Sequence, residues 1–380
     1  METSEALPAG AVLATDLAPL ASGAGPFLTV VLNTEAGIQN AAQKSEQRWH
    51  ALRRELSDRV PEDVLSAVDP LVPEAHLSGD GLFVVADGSG VRHVEHGPAP
   101  GPSDRGWWEP VPRLATALEW RQRAIPFVVA LADRTGANLY GFRHGPDDRP
   151  DVDREVEGED RPIRKVHPGG WSQRRYQERA ENTWEQNAED VARSIERLAS
   201  RIEARLVLLA GDVRATTLIQ ESWPAGFELP VEVVSGERPW EGSGPRIPDA
   251  AQEVIDRFVE SETRAIVDRF HQEKGQHDLA AEGAARTIAA LSESRVGVLL
   301  VHEGAGGDAT AWTGPEPIPV GSTRDELDGL GVGSPIEVPR VDAMLRAAIG
   351  TSAAVRFVPS NAGLADGVGA LLRWSSPEGS

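Results

Sequence analysis

Arg161, Arg164, Lys165, His167, Gly169, Gly170, Trp171, Ser172, Gln173, Arg174, Arg175 and Arg179 fall within one short stretch of the chain. These residue types hold phosphate and bases. Guanidinium forks grip phosphate oxygens in pairs, paired glycines let the backbone turn or approach a partner closely, and an indole offers a face to a nucleotide. Residues 161–180 hold six Lys/Arg and one Glu, in a chain of formal net charge −21. The rest of the protein therefore has the wrong sign for general nucleic-acid affinity, and the stretch reads as one placed contact for a polyanion.

A helix must position these groups. Ser172 is a good N-cap. Behind it Trp184, Ala188, Val191, Ala192, Ile195, Leu198, Ala199 and Ile202 recur at helical spacing on one face. From Ser172 to about Ile202 such a helix is about 45 Å long. Arg174, Arg175 and Arg179 lie in its first turns, where the helix dipole favours acids. They fit a site in which free N–H groups and guanidinium groups hold phosphate together. They fit equally a solvated arginine face on a surface helix.

Other chemistry finds little support. With no cysteine, disulfides, thiolate metal sites and thiol nucleophiles are excluded. The sequence contains no P-loop, no dinucleotide-binding glycine motif and no His-Glu-x-x-His. His271 and His277 sit near acids, but isolated histidines of this kind read as structural or solvated, so no metal and no cofactor are expected. Ser172 lacks an evident base, with His167 five residues earlier across a flexible turn, so no catalytic residue is assigned. Gly304 to Gly307 reads as a glycine-rich loop at a strand end or as a plain surface loop. The first residues lack a signal-peptide layout and no apolar run reaches spanning length, so a cytoplasmic protein with no membrane contact is expected. Lysine occurs only at 44, 165 and 274.

The wider pattern is α/β. Strands are expected at 27–32 and 81–86, with 91–94 as a hairpin partner, and a helix at about 39–59. Residues 97–104 read as a loop. Strands at 127–132 and 137–142 form a second hairpin, followed by an acidic connector over 147–160. That connector is a solvated loop or a cover for the basic stretch. After the long helix come a strand at 205–211, a short helix capped by Asp212 and a strand at 231–234. Residues 236–248 are a Pro/Gly-rich linker. Helices at about 249–272 and 278–292 and strands at 296–301 and 353–358 predict a C-terminal α/β/α sandwich. Three α/β domains are expected, at 1–122, 123–238 and 249–380.

The order of these modules, with a Gly-Gly loop opening the long helix of the middle one, resembles the archaeo-eukaryotic class I release factors and Pelota. It is most similar to the bacterial branch with the Balon-like ribosome hibernation factors of actinobacteria. Lys165 and residues 169–176 carry the likeness in the middle domain; residues 287–291 before 296–301, and 363–373, carry it in the last. It covers about residues 125–380, and the N-terminal domain matches in position alone. Release factors of this kind have Gly-Gly-Gln, whose glutamine helps place the water that cleaves peptidyl-tRNA. Here Trp171 stands in that place and Gln173 two residues later. An indole has one donor and no acceptor. Trp171 stacks on a base or packs on its own domain.

The resemblance implies a ribosome-associated factor in the A site, contacting ribosomal RNA through the residues named at the outset. It also implies a translational GTPase such as elongation factor Tu as a partner, and no DNA contact. The expected role is hibernation or stress response without hydrolysis. The alternatives are a peptidyl-tRNA hydrolase or RNase-type enzyme on the same fold, or a non-ribosomal stress or interaction protein.

Overall fold

A computed structural model describes residues 8, 10–23, 25–35, 40–133, 136–143, 145, 150–157, 171–234, 249–276, 279–305 and 307–375. The chain divides into two compact units, one of residues 1–122 with 259–380 and the other of residues 123–258.

The first unit opens with a short helix α1 (Ala18–Ala21) and strand β1 (Phe27–Asn33). Helices α2 (Ala41–Leu56) and α3 (Glu62–Val68) follow, then β2 (Gly81–Asp87), β3 (Gly90–Gly97), β4 (Arg105–Glu109) and α4 (Ala115–Arg123). The four strands make an antiparallel sheet in the order β3-β2-β1-β4. β1 is buried along its whole length because both faces of the sheet are covered. Leu28, Val30 and Leu32 pack with Trp49, Leu52 and Leu56 of α2. Phe27 and Val31 face the opposite cluster, which also contains Leu299, Val301 and Val355 from the far end of the chain.

The second unit holds β5 (Phe127–Ala132), β6 (Gly136–Phe142), β7 (Val152–Glu157), α5 (Trp171–Ile202), β8 (Leu206–Gly211), α6 (Val213–Glu221), β9 (Val231–Val233) and the start of α7 (Asp249–Gln276). Its sheet runs β7-β6-β5-β8-β9. β5 pairs parallel with β8 and antiparallel with β6, and β8 pairs parallel with β9.

Within the rest of the first unit, β10 (Ala280–Glu282), α8 (Ala284–Ser292) and β11 (Val296–His302) precede a small three-stranded sheet. That sheet is β12 (Thr310–Thr313), β13 (Val320–Gly321) and β14 (Ile336–Pro339), with α9 (Arg324–Gly329) inserted, in the order β13-β12-β14. Then come α10 (Arg340–Gly350), β15 (Ala354–Val358) and β16 (Val368–Leu372). The larger C-terminal sheet is β10-β16-β11-β15. Ile266 and Phe270 of α7 pack with Val298, Leu300 and Ala354, while α8 and α10 share the cluster of Leu299, Val301 and Val355. Helices thus cover both faces, the α/β/α arrangement expected.

β15 is also joined to the start of the chain. Val12 and Val355 exchange backbone hydrogen bonds of 2.8 and 2.9 Å, and the Gln122 amide bonds the Phe357 N–H and carbonyl at 2.7 and 2.9 Å.

Three sequence expectations need correction. Part of the acidic connector, Val152–Glu157, is a strand paired with β6 rather than a loop, because Val152 and Val156 give it an apolar face. The long helix begins at Trp171, so Ser172 lies inside its first turn and not at the N-cap. Residues 280–282 of the expected helix 278–292 form β10, held by β16, and the helix starts after Gly283. The linker 236–248 lies outside the described residues.

Candidate nucleic-acid interface

Helix α5 is held by its second half. Ala188, Val191, Ala192, Ile195, Leu198, Ala199 and Ile202 are buried, and they pack on Val128, Ala130, Leu139, Val207 and Leu209 of β5, β6 and β8. Asn187 and Ser194 are also buried along this side. The other side is solvated. Arg193 lies 3.2 Å from both Glu189 and Asp190, exposed pairs that contribute little stability. The helix has 32 residues, so at about 1.5 Å per residue it is about 48 Å long.

Of the sequence-predicted site residues, Arg161, Arg164, Lys165, His167, Gly169 and Gly170 lie outside the described residues. Trp171, Ser172, Gln173, Arg174, Arg175 and Arg179 lie on the first three turns of α5, where the backbone is described and the side chains are not. At about 100° per residue, positions 175 and 179 fall on the register line of the exposed Arg193 and Arg197. Position 173 falls on the line of buried Val191. Position 174 falls likewise on the line of buried Ala192.

The carboxyl ends of the parallel pair β5 and β8, Ala132 and Gly211, lie side by side, and ligands in open α/β sheets bind outside the carboxyl ends of the strands. Gly211 ends β8 at φ +121°, where an added Cβ would lie 2.0 Å from the Ala132 carbonyl oxygen. Asp212 then donates its N–H to that oxygen at 3.0 Å. Its carboxylate caps α6 by accepting from the N–H groups of Arg214 and Ala215 at 3.0 and 3.1 Å, as expected for this residue type. The Asp133 carboxylate accepts from the Gly136 N–H at 3.0 Å. Asp133, Asn187, Arg214, Leu218 and Ile219 line a shallow crevice here. It offers one acid and one base over an apolar floor, with no nucleophile set against a base. Asn187 and Arg214 escaped sequence reading because single polar residues on helices carry no spacing signal.

Among the described residues, no group of three or more His, Asp or Glu could hold a metal ion. Nor is any helix among them long and apolar enough to cross a membrane.

Residues 126–276 match bacterial archaeo-eukaryotic release factor family 2. That segment contains the Gly-Gly pair and all of α5. No curated protein matches it. Three solved structures align over most of the chain. An archaeal translation termination factor, aRF1, is 15% identical over 94% of this chain and 95% of its own, with a TM-score of 0.22. Pelota of Archaeoglobus fulgidus is 14% identical over 77% and 80%, with a TM-score of 0.33. Dom34 of S. cerevisiae, a translation termination-like factor, is 10% identical over 73% and 75%, with a TM-score of 0.39. Likeness at this level adds nothing to the family match.

Proposed function

We propose that this chain is a ribosome-associated translation factor that occupies the A site as a hibernation or stress factor and does not hydrolyse peptidyl-tRNA. The observation that carries the reading is the family match over 126–276, with tryptophan where Gly-Gly-Gln would have its glutamine. A carboxamide both donates and accepts, and so orients a water; an indole only donates. Gln173 stands two residues further on, inside the first turn of α5. The stretch 161–179 then binds ribosomal RNA, with Arg161, Arg164 and Lys165 before the Gly-Gly pair and Arg174, Arg175 and Arg179 after it. Trp171 stacks on an exposed base. A translational GTPase such as elongation factor Tu is the expected delivery partner, and the cytoplasm the expected compartment.

Density gradients of extracts from growing and starved cells test this directly. The protein is expected to travel with ribosomes, more so in starved cells; a position at the top of both gradients would mean a non-ribosomal protein. A release assay on programmed ribosomes tests the second half. No turnover is expected, and robust multiple-turnover release that is lost in Gln173→Ala would make the protein a hydrolase. Trp171→Ala is expected to weaken ribosome binding by about 1–3 kcal/mol, the worth of a base–aromatic stack, with little change in melting temperature. A large melting loss with normal binding would mean that the indole packs on its own domain.

A further inference from the structure

In the first unit, Asp342 stands in the first turn of α10 and is 6% exposed. Its nearest cation is Arg113, whose Nε lies 3.8 Å from the Asp342 carboxylate. That Nε is buried and has no hydrogen-bond partner. The same guanidinium approaches Glu109 at 3.4 Å through Nη2, and its carbon sits 4.9 Å from the centre of the Trp107 ring. One cation therefore stands between two carboxylates, hydrogen-bonded to Glu109 at 3.4 Å and 3.8 Å from Asp342.

We propose that Asp342 and Glu109 compete for Arg113 and that a proton on Asp342 decides the pairing. Ionised Asp342 draws the guanidinium inward. Protonated Asp342 leaves it to Glu109 and Trp107. The contact of residues 105–114 with α10 is thereby sensitive to pH, in a part of the molecule separate from the helix assigned to the ribosome.

The physical setting supports this. Burial pushes the Asp342 carboxyl up to about 7, with Arg113 lowering it and Glu109 raising it further. Other charged groups on α10 and the elements packed against it are turned elsewhere. Arg340 donates to the Asp366 carbonyl at 2.9 Å. Arg346 donates to carbonyls over 314–316, and Arg356 of β15 to the Gly10 and Val259 carbonyls. Glu337 of β14 accepts from Thr310, and Arg286 of α8 is exposed. Because the folded carboxyl titrates above its ordinary value of 3.8, its contribution to stability is complete below that value. It is lost as pH rises through about 7.

Carboxyl carbon NMR of Asp342 across pH, with melting temperature in parallel, tests the proposal in the full chain. The expected midpoint is near 7. It should fall in Glu109→Gln, which removes a like charge, and rise in Arg113→Gln, which removes the cation. The Arg113 Nε resonance should shift at the same midpoint in the native chain and stay constant in Asp342→Asn. The melting temperature should decline between pH 5 and 7 in the native chain and less steeply in Asp342→Asn. A midpoint in the ordinary carboxylate range would overturn the proposal. So would a midpoint that moves the same way in both variants, or in neither, and so would an Arg113 resonance that ignores it.

Discussion

The two compact units use positive charge in opposite ways. In the first, arginine holds the fold together. Arg346 is 3% exposed and donates to the carbonyls of Ala21, Gly314, Pro315 and Glu316 and to the Thr313 hydroxyl. Arg121 is shared between Asp16 and Glu95, with contacts of 2.7 and 2.8 Å. In the second unit the core is apolar. The tail of α5 is anchored by an aliphatic stripe, while its head carries Arg174, Arg175 and Arg179 in sequence. The difference teaches where to look for function. Arginine surrounded by carbonyls is committed to structure, whereas the arginines at the start of α5, against the dipole, are where the proposed function places an anion from outside.

Arg346→Met should have the largest effect on stability. Five acceptors lose their donor, three of them in buried bonds (Ala21, Thr313 and Gly314), at about 1–3 kcal/mol for each that stays unsatisfied, so a loss of about 4 kcal/mol or more is expected. Hydrogen exchange should then quicken in 1–122 and 259–380 together, and loss confined to one segment would break the picture of a shared unit. Ile195→Ala removes a fully buried side chain from the α5 stripe. It should cost about 3 kcal/mol, with exchange rising over 123–258 and not over 1–122. Asp212→Ala removes the cap of α6 and should cost about 1 kcal/mol, seen as faster exchange at the start of that helix alone. Arg193→Ala, on the solvated line of α5, should change stability by less than about 0.5 kcal/mol. A larger loss there would mean that the solvent side of the helix bears on the fold.

Much of the core was legible from the sequence because fully buried strands are continuous apolar runs. Phe127–Ala132, Leu206–Gly211, Val296–His302 and Ala354–Val358 show this pattern. β7 was hidden because an edge strand with acids on its exposed side reads as a connector; only Val152 and Val156 betray it. The small sheet of β12, β13 and β14 has strands of two to four residues, too short for any period to register. Buried polar residues were illegible for a different reason. Gln122, Asp342 and Arg346 look like surface residues until the chain brings their partners together from far away in sequence. In the candidate site, the helical stripe and the Asp212 cap could be read directly, since both are local patterns. That 1–122 and 259–380 share one core could not, because contacts between distant segments leave no periodic trace.

The most direct test of the ribosomal reading is the binding of purified protein to purified ribosomes over a range of salt, for the native chain and for Arg174→Glu with Arg175→Glu. The expected result is tight binding that falls steeply with salt, because phosphate contacts release counterions. In the double variant, binding should be abolished or the salt slope flattened, with an unchanged melting temperature. Native-like binding with an unchanged slope would contradict the role given to the head of α5.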